Sequence, residues 1–260
     1  VCDGAPKSAT PGWSGAGHDV LSQDFLSPAL GAMLYPDLMQ RFIPAPITLA
    51  DRSRALEASW SQAWHAARGN HRLRESFLAA RANREGHVPH LLLNSTSVES
   101  GRRVVAGTLR LNRDATDATD LIDLTGTDLP FVSAIHNSAR FTYVSPAGYV
   151  IEKESKNRQR LVDGGYFENA GATTLLDLLD AIPAHLRRRL DPKVIVITND
   201  PRVGQPNPPV GFLSETRAPF AALLKAREAR AEYAKSALRG AVGPDSYVTF
   251  GTCQREVPLP

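Results

Sequence analysis

A stretch in the middle of the chain joins a strand-like run to a helix-like run, and it constrains the fold more than any other feature. The apolar pair at 161–162 is followed by Asp163, and Asp163 is followed by Gly164 and Gly165. From 172 to 179 apolar residues recur with helical spacing. Asp163 is therefore predicted to end a sheet strand at a tight turn into a helix, the edge where open α/β sheets bind ligands.

The two glycines of this turn have two interpretations. Glycine tolerates positive φ and lets another backbone or a ligand approach closely, which suits a functional site. Asp-Gly is also a common pair in ordinary surface turns. The motif alone leaves a functional turn and a plain turn about equally open.

Composition bounds the class of protein. The 260 residues suit one large domain or two small ones, and the hydrophobic fraction of 42% is enough for a core. The formal net charge is only +3 and the arginines are dispersed, which argues against a nucleic-acid surface. No apolar run approaches the roughly 18 residues of a membrane span. Cys2 and Cys253 allow one disulfide but form no metal motif, so neither a metal nor a cofactor is predicted.

Strand-like and helix-like runs alternate along most of the chain, which predicts a layered α/β domain. The segment at 193–199 contains four consecutive β-branched residues, which indicates a buried strand of a mainly parallel sheet. The acidic segment 114–128 is predicted to be a solvated loop rather than a metal site. Further strands are predicted at 90–94, 104–109, 149–151 and 247–250, and helices at 51–67, 72–82, 128–140 and 214–239.

The helix predicted at 51–67 begins at Asp51, a good N-cap residue. It carries Leu56, Trp60 and Trp64 on one face, which is predicted to pack in the core.

The pattern also predicts the domain organisation. Residues 1–24 are rich in Gly, Ser, Pro and Ala and are predicted to be a loop-rich leader. Residues 25–260 are predicted to form part of one α/β domain, mainly helical over 25–85 and built from a sheet with helices over 88–260.

A carboxylate such as Asp163 can act as general base for a serine, and the expected partner is a serine on a nucleophile elbow. The nearest match to a GxSxG elbow is the segment 12–16 around Ser14, where Ala16 replaces the last glycine and no strand-like run precedes it. The histidines are scattered, and His136, inside a predicted helix, is predicted to be structural.

Several segments resemble bacterial patatin-like phospholipases. The segment Asp163-Gly164-Gly165-Tyr166-Phe167-Glu168-Asn169 resembles the DGG signature of that family, and Ser138-Ala139-Arg140-Phe141 with Ser145-Pro146 resembles the segment that leads to it. The regions 25–28, 42–44 and 91–102 are similar as well. The resemblance covers most of the chain from about residue 20.

The resemblance implies a fold and an activity. The fold is a layered α/β/α domain with a mainly parallel central sheet, here incomplete at its N-terminus. The activity is that of a Ser–Asp dyad hydrolase of lipid acyl esters, in which Asp163 activates the serine and Gly164 and Gly165 form its turn. The family's clear elbow and glycine-rich oxyanion loop are not in this sequence, so both are expected to precede Val1, and the 260 residues alone are expected to be inactive.

The expected partner is a lipid or phospholipid ester, with a membrane surface as a further candidate, and the resemblance implies a cytoplasmic or membrane-associated protein of a bacterium. The alternative is a non-catalytic lipid- or protein-binding module on a degenerate scaffold of the same kind.

Overall fold

In the computed structural model the chain is a mixed α/β protein. The structure describes residues 13–40, 42, 51–79, 88–112, 116–141, 144–198 and 214–251. The chain divides into two compact units. The larger comprises Lys7–Arg113 and Asp117–Gly164, and the smaller comprises Gly165–Pro260 with two short segments, Val1–Pro6 and Asp114–Thr116. One boundary between the two units lies between Gly164 and Gly165.

The larger unit is built on a five-stranded sheet of order β3-β2-β1-β5-β4. Its strands are β1 (Leu92–Ser97), β2 (Arg103–Gly107), β3 (Thr119–Asp120), β4 (Gly148–Ile151) and β5 (Arg158–Asp163).

The prediction that this sheet is mainly parallel is wrong. β1 pairs antiparallel with both β2 and β5, β4 pairs antiparallel with β5, and only the β2–β3 pairing is parallel among the described residues. The physical reason lies in the connections, because five residues join β1 to β2 and six join β4 to β5. Such short connections close hairpins, whereas parallel neighbours need a crossover of a dozen or more residues.

The described helices of the larger unit are α1 (Trp13–Leu21), α2 (Leu26–Ala32), α3 (Leu38–Gln40), α4 (Arg52–Arg68), α5 (Leu121–Thr125) and α6 (Phe131–Ser138). Helices α5 and α6 pack on the sheet, whereas α1 and α2 pack on α4. Asp51 caps α4 as predicted, since its carboxylate accepts the N–H of Arg54. A continuous helical segment joins α2 to α3 through the π-helical turn Met33–Asp37.

One apolar cluster forms the core of the larger unit. It joins β2 and β5 to α5 and α6, with Phe77 and Leu161 fully buried at its centre. Leu56, from the face of α4 that was predicted to pack inward, is also buried, whereas Trp60 and Trp64 are half-buried.

The smaller unit has a two-stranded parallel sheet, β6 (Val194–Thr198) and β7 (Tyr247–Gly251). Helices α7 (Ala172–Ala181), α8 (Ala184–Leu190) and α9 (Ser214–Val242) complete it. Its core joins Val194 and Val196 to Leu179 and Leu238. The opposite face is open, because Ile195 is 64% and Ile197 81% exposed. The strand predicted to be buried on both faces is therefore buried on one.

Four other expectations need correction. The 193–199 strand was predicted to belong to one central sheet, but Val196 lies in the separate β6–β7 sheet. The segment 114–128, predicted to be a solvated loop, contains β3 and α5, whose N-cap Asp120 is fully buried. A helix, α1, lies in the segment predicted to be a loop-rich leader. Of the helix predicted at 72–82, residues 80–82 lie outside the described residues, and Arg72–Arg74 form a 3-10 turn.

None of the helices in the described ranges is both long and apolar enough to cross a membrane.

Candidate functional site

Asp163 is the last residue of β5, where the sequence predicts it. It is half-buried. Its backbone N–H and its carbonyl oxygen both form hydrogen bonds. Its N–H donates to the carbonyl oxygen of Arg140 at 3.2 Å, and its carbonyl oxygen accepts from Thr96 Oγ1 at 3.0 Å. The sheet is antiparallel at this strand, so the position of Asp163 does not depend on a parallel crossover. Its backbone is fixed at the end of a paired strand.

The close approach of a neighbouring strand explains why a glycine, Gly164, follows Asp163. A Cβ at this position would lie 2.4 Å from the carbonyl oxygen of Asn94 on the neighbouring strand, closer than real Cβ atoms approach backbone. Gly164 and Gly165 open the 3-10 turn Gly164–Tyr166, and positive φ is found instead at Gly171, the N-cap of α7. Gly164 therefore serves close approach of two backbones rather than a left-handed turn.

Ser95 lies directly opposite Asp163 in the β1–β5 pairing. Opposed residues of an antiparallel pair project to the same face of the sheet, with Cβ atoms roughly 4.5–5.5 Å apart. Ser95 is only 1% exposed, and its hydroxyl has no hydrogen-bond partner among the described residues. Sequence reasoning missed this serine because its only signal is the register between two strands that are 68 residues apart (163 − 95).

Arg140 connects the Asp163 backbone to the helices. Its side chain is buried, and its guanidinium donates to Asn137 Oδ1 at 2.8 Å, to Ser53 Oγ at 2.9 Å and to the Pro146 carbonyl oxygen at 3.0 Å. Burial lowers the pKa of Arg140, while the charge of Glu57, 3.8 Å from Nη2, raises it. The resemblance pointed to this segment, but the sequence did not predict that Arg140 is buried.

A second hydrogen-bonded chain runs from Glu57 through His136 to Ser145. His136 Nδ1 is 2.9 Å from Glu57 Oε1, and Nε2 is 3.0 Å from Ser145 Oγ. Glu57 Oε2 also accepts from Ser133 Oγ at 3.1 Å. Because an ionised carboxylate only accepts, Nδ1 donates to Glu57 and Nε2 accepts from Ser145 when the imidazole is neutral.

The pKa shifts agree with that assignment. Burial lowers the pKa of His136; the hydrogen bond to Glu57 raises it, and the charge of Arg140 lowers it again. Burial acts to raise the pKa of Glu57, but hydrogen bonds from His136 and Ser133 and the charge of Arg140 outweigh it, so that this pKa is lowered. At neutral pH the pair is an uncharged imidazole and a carboxylate.

This chain has the polarity of a Ser-His-acid triad, yet its surroundings indicate packing. His136 is completely buried in α6, and its ring meets that of Trp60 edge-on, with centroids 5.3 Å apart. Ser145 is 5% exposed, and its hydroxyl also lies 3.3 Å from the Pro146 carbonyl oxygen. A reacting ester has no place beside a fully enclosed imidazole, and the arrangement agrees with the structural role predicted for His136.

The other candidates from the sequence are Ser14 and the two cysteines. Ser14 lies in α1, while residues 1–12 and both cysteines, Cys2 and Cys253, lie outside the described residues. Within the described ranges no group of three or more His, Cys, Asp or Glu residues is placed to hold a metal ion.

Comparison of the chain with protein-family models, with curated proteins and with solved structures finds no match in any of the three. The fold and the site therefore define a mixed α/β protein with a fixed aspartate at a strand end. Its resemblance to patatin-like phospholipases stays a prediction from the motifs.

Proposed function

We propose that this chain supplies the general base of a lipid acyl hydrolase of the Ser–Asp dyad type. The observation that supports the proposal is the placement of Asp163. It ends a paired strand, it is half-buried, and its backbone N–H and carbonyl are both hydrogen-bonded. A catalytic carboxylate needs this combination of fixed position and access to a partner.

In the proposed reaction Asp163 accepts the proton of a serine hydroxyl while the serine oxygen attacks the carbonyl carbon of a lipid ester. The proton then passes to the alcohol that leaves, and a water molecule hydrolyses the acyl-serine in a second step assisted by the same carboxylate. The sequence offers no clear nucleophile elbow for this serine, so we expect the chain alone to show only background hydrolysis of a short-chain p-nitrophenyl ester.

The test is Asp163→Asn in the full-length protein. Asparagine is nearly isosteric and keeps the packing of the turn, but it cannot accept the serine proton. General-base assistance is typically worth roughly 100- to 10,000-fold, so kcat for a phospholipid or p-nitrophenyl ester should fall at least into that range.

Asp180→Asn is the matched control, because it makes the same change at an exposed carboxylate whose partner is Arg187. It should leave kcat within about twofold of the unmodified protein. Equal activity of Asp163→Asn and Asp180→Asn, with both proteins folded, would remove Asp163 from the reaction.

A second function, a non-catalytic lipid- or protein-binding module, is favoured by one surface. Four leucines recur every fourth residue along α2, the π-helical turn and α3 and are 41–56% exposed: Leu26, Leu30, Leu34 and Leu38. We call them the leucine row. Contiguous apolar surface of this kind is typical of interaction sites for proteins or membranes. Vesicle binding by a full-length protein without esterase activity, lost in Leu34→Gln, would support the module.

A further inference from the structure

We propose that Arg140 is a positioning residue for Asp163: its buried guanidinium fixes the carbonyl oxygen that accepts the Asp163 N–H. The inference rests on the proposed role of Asp163 as general base. In this proposal the position of the Asp163 carboxylate depends on a side chain that contacts neither that carboxylate nor a substrate.

The link between the two residues is a backbone hydrogen bond at the end of the sheet. The N–H of Ser97 donates to the carbonyl oxygen of Arg102, the residue just before β2, so the backbone polar groups of alternate β1 residues, Ser95 included, face β2. The β1–β5 pair of Ser95 and Asp163 is therefore not hydrogen-bonded, and the Asp163 N–H faces away from β1. β4 begins at Gly148, opposite Leu161, and does not reach Asp163. The carbonyl oxygen of Arg140 takes the place of the missing strand partner.

The guanidinium holds that carbonyl by binding three separate segments. It donates to Ser53 at the start of α4, to Asn137 at the end of α6 and to the carbonyl of Pro146 before β4. Glu57 lies 3.8 Å away as a counter-charge. A planar guanidinium with a fixed fork of donors suits such a junction, whereas lysine offers a single point charge.

The packing around the guanidinium is closed. A Cβ on Gly148 would lie 2.5 Å from Arg140 Nε and 2.8 Å from Asn137 Oδ1. β4 therefore begins with glycine where it passes the guanidinium. A side chain held so tightly transmits its position to its own carbonyl, and through that carbonyl to the last residue of β5.

Amide hydrogen exchange tests this role without any assay of activity. Arg140→Lys keeps the charge beside Glu57 but loses the fork. The ratio of the exchange rate at Asp163 to that at Leu161, two residues earlier on β5, should rise at least roughly tenfold. A general loss of stability accelerates both amides together and leaves the ratio unchanged. An unchanged ratio would overturn the proposal.

A milder pair of variants covers the case in which Arg140→Lys does not fold. Ser53→Ala removes one acceptor from the guanidinium, and Ser133→Ala removes one donor from Glu57 without touching Arg140. The Asp163:Leu161 exchange ratio should rise about threefold in Ser53→Ala and stay constant in Ser133→Ala. Equal ratios in the two variants would contradict the proposal.

Kinetics of the full-length protein separate this proposal from the proposed function. Displacement of a catalytic group by about 1 Å can cost roughly 100-fold in rate, so Arg140→Lys should lower kcat by between ten- and 100-fold while KM stays within twofold. If the protein proves not to hydrolyse esters, the exchange ratio still decides whether Arg140 fixes Asp163. If it does hydrolyse them and Arg140→Lys leaves kcat unchanged, the positioning role is refuted.

Discussion

At the scale of single residues, Gly164 is the part of the motif whose replacement the structure explains most directly. A methyl group there would meet the backbone of Asn94 at 2.4 Å, and backbone in a paired strand cannot easily retreat. Overpacking of this kind costs typically 1–3 kcal/mol, so we expect Gly164→Ala to lower the free energy of unfolding by about that amount.

Gly240→Ala is the matched control for this prediction. Gly240 lies inside α9 with nothing within 4 Å of the added methyl, and alanine is favoured over glycine in helix interiors by roughly 0.5–1 kcal/mol. It should be neutral or stabilising. Urea denaturation of both variants measures the difference in the free energy of unfolding. Equal stabilities would contradict the prediction, because they would mean that β1 shifts to accommodate the methyl group of Gly164→Ala.

Also at this scale, the buried pair of Glu57 and His136 makes stability depend on pH. Both pKa values are lowered in the folded protein, so the unfolded chain binds more protons and acid favours unfolding. The contribution of His136 is complete above its unfolded pKa of about 6.5, and it is lost as the pH falls through the lower folded value. That of Glu57 is lost below about pH 4.5.

We therefore expect the free energy of unfolding to fall from pH 7 to pH 4, by up to about 1.4 kcal/mol per pH unit for each proton taken up. Denaturation at several pH values measures this slope. His136→Gln should remove the part of the slope near pH 6. A flat profile in the unmodified protein would contradict the buried pair.

At the scale of elements, two aspartates cap helices in different surroundings. Asp51 caps α4 at a half-buried position, whereas Asp120 caps α5 and is fully buried, accepting from the N–H groups of Ile122, Asp123 and Leu111. Losing an ordinary cap costs about 1 kcal/mol. Leaving several buried N–H groups unpaired costs about 1–3 kcal/mol for each group.

Asp120→Ala should therefore destabilise the protein clearly more than Asp51→Ala does, by about 2 kcal/mol or more against about 1 kcal/mol. Chemical denaturation of the two variants compares the costs. Equal losses would mean that water or a rearranged chain reaches the start of α5.

The same elements show how far the sequence predicts the fold. Apolar runs located every strand of the structure except β3, and Asp51 located the start of α4, because both signals are local. The short β3 and α5 were missed, since an acidic, threonine-rich stretch is typical of a loop. Asp120 is buried only because Leu121, Ile122 and Leu124 around it pack into the core.

At the scale of the whole molecule, pairing could not be predicted from local pattern. The four β-branched residues of β6 suggested a parallel sheet for the whole chain, and β6 is indeed parallel to β7. The larger sheet follows instead from short hairpin connections at 98–102 and 152–157. The sequence placed Asp163 at a strand end, but Ser95, Arg140 and Thr96 join it only through long-range pairing.

The central claim is that Asp163 is the base of a Ser–Asp dyad. A fluorophosphonate probe tests it most directly in the full-length protein, because the serine oxygen bonds to phosphorus, fluoride leaves and the serine proton passes to the base. We predict that mass spectrometry finds one labelled serine, outside these 260 residues. Labelling should be at least roughly 100-fold slower in Asp163→Asn and unchanged in Ser145→Ala. Labelling of Ser14 or Ser145, or an equal rate in Asp163→Asn, would contradict the account.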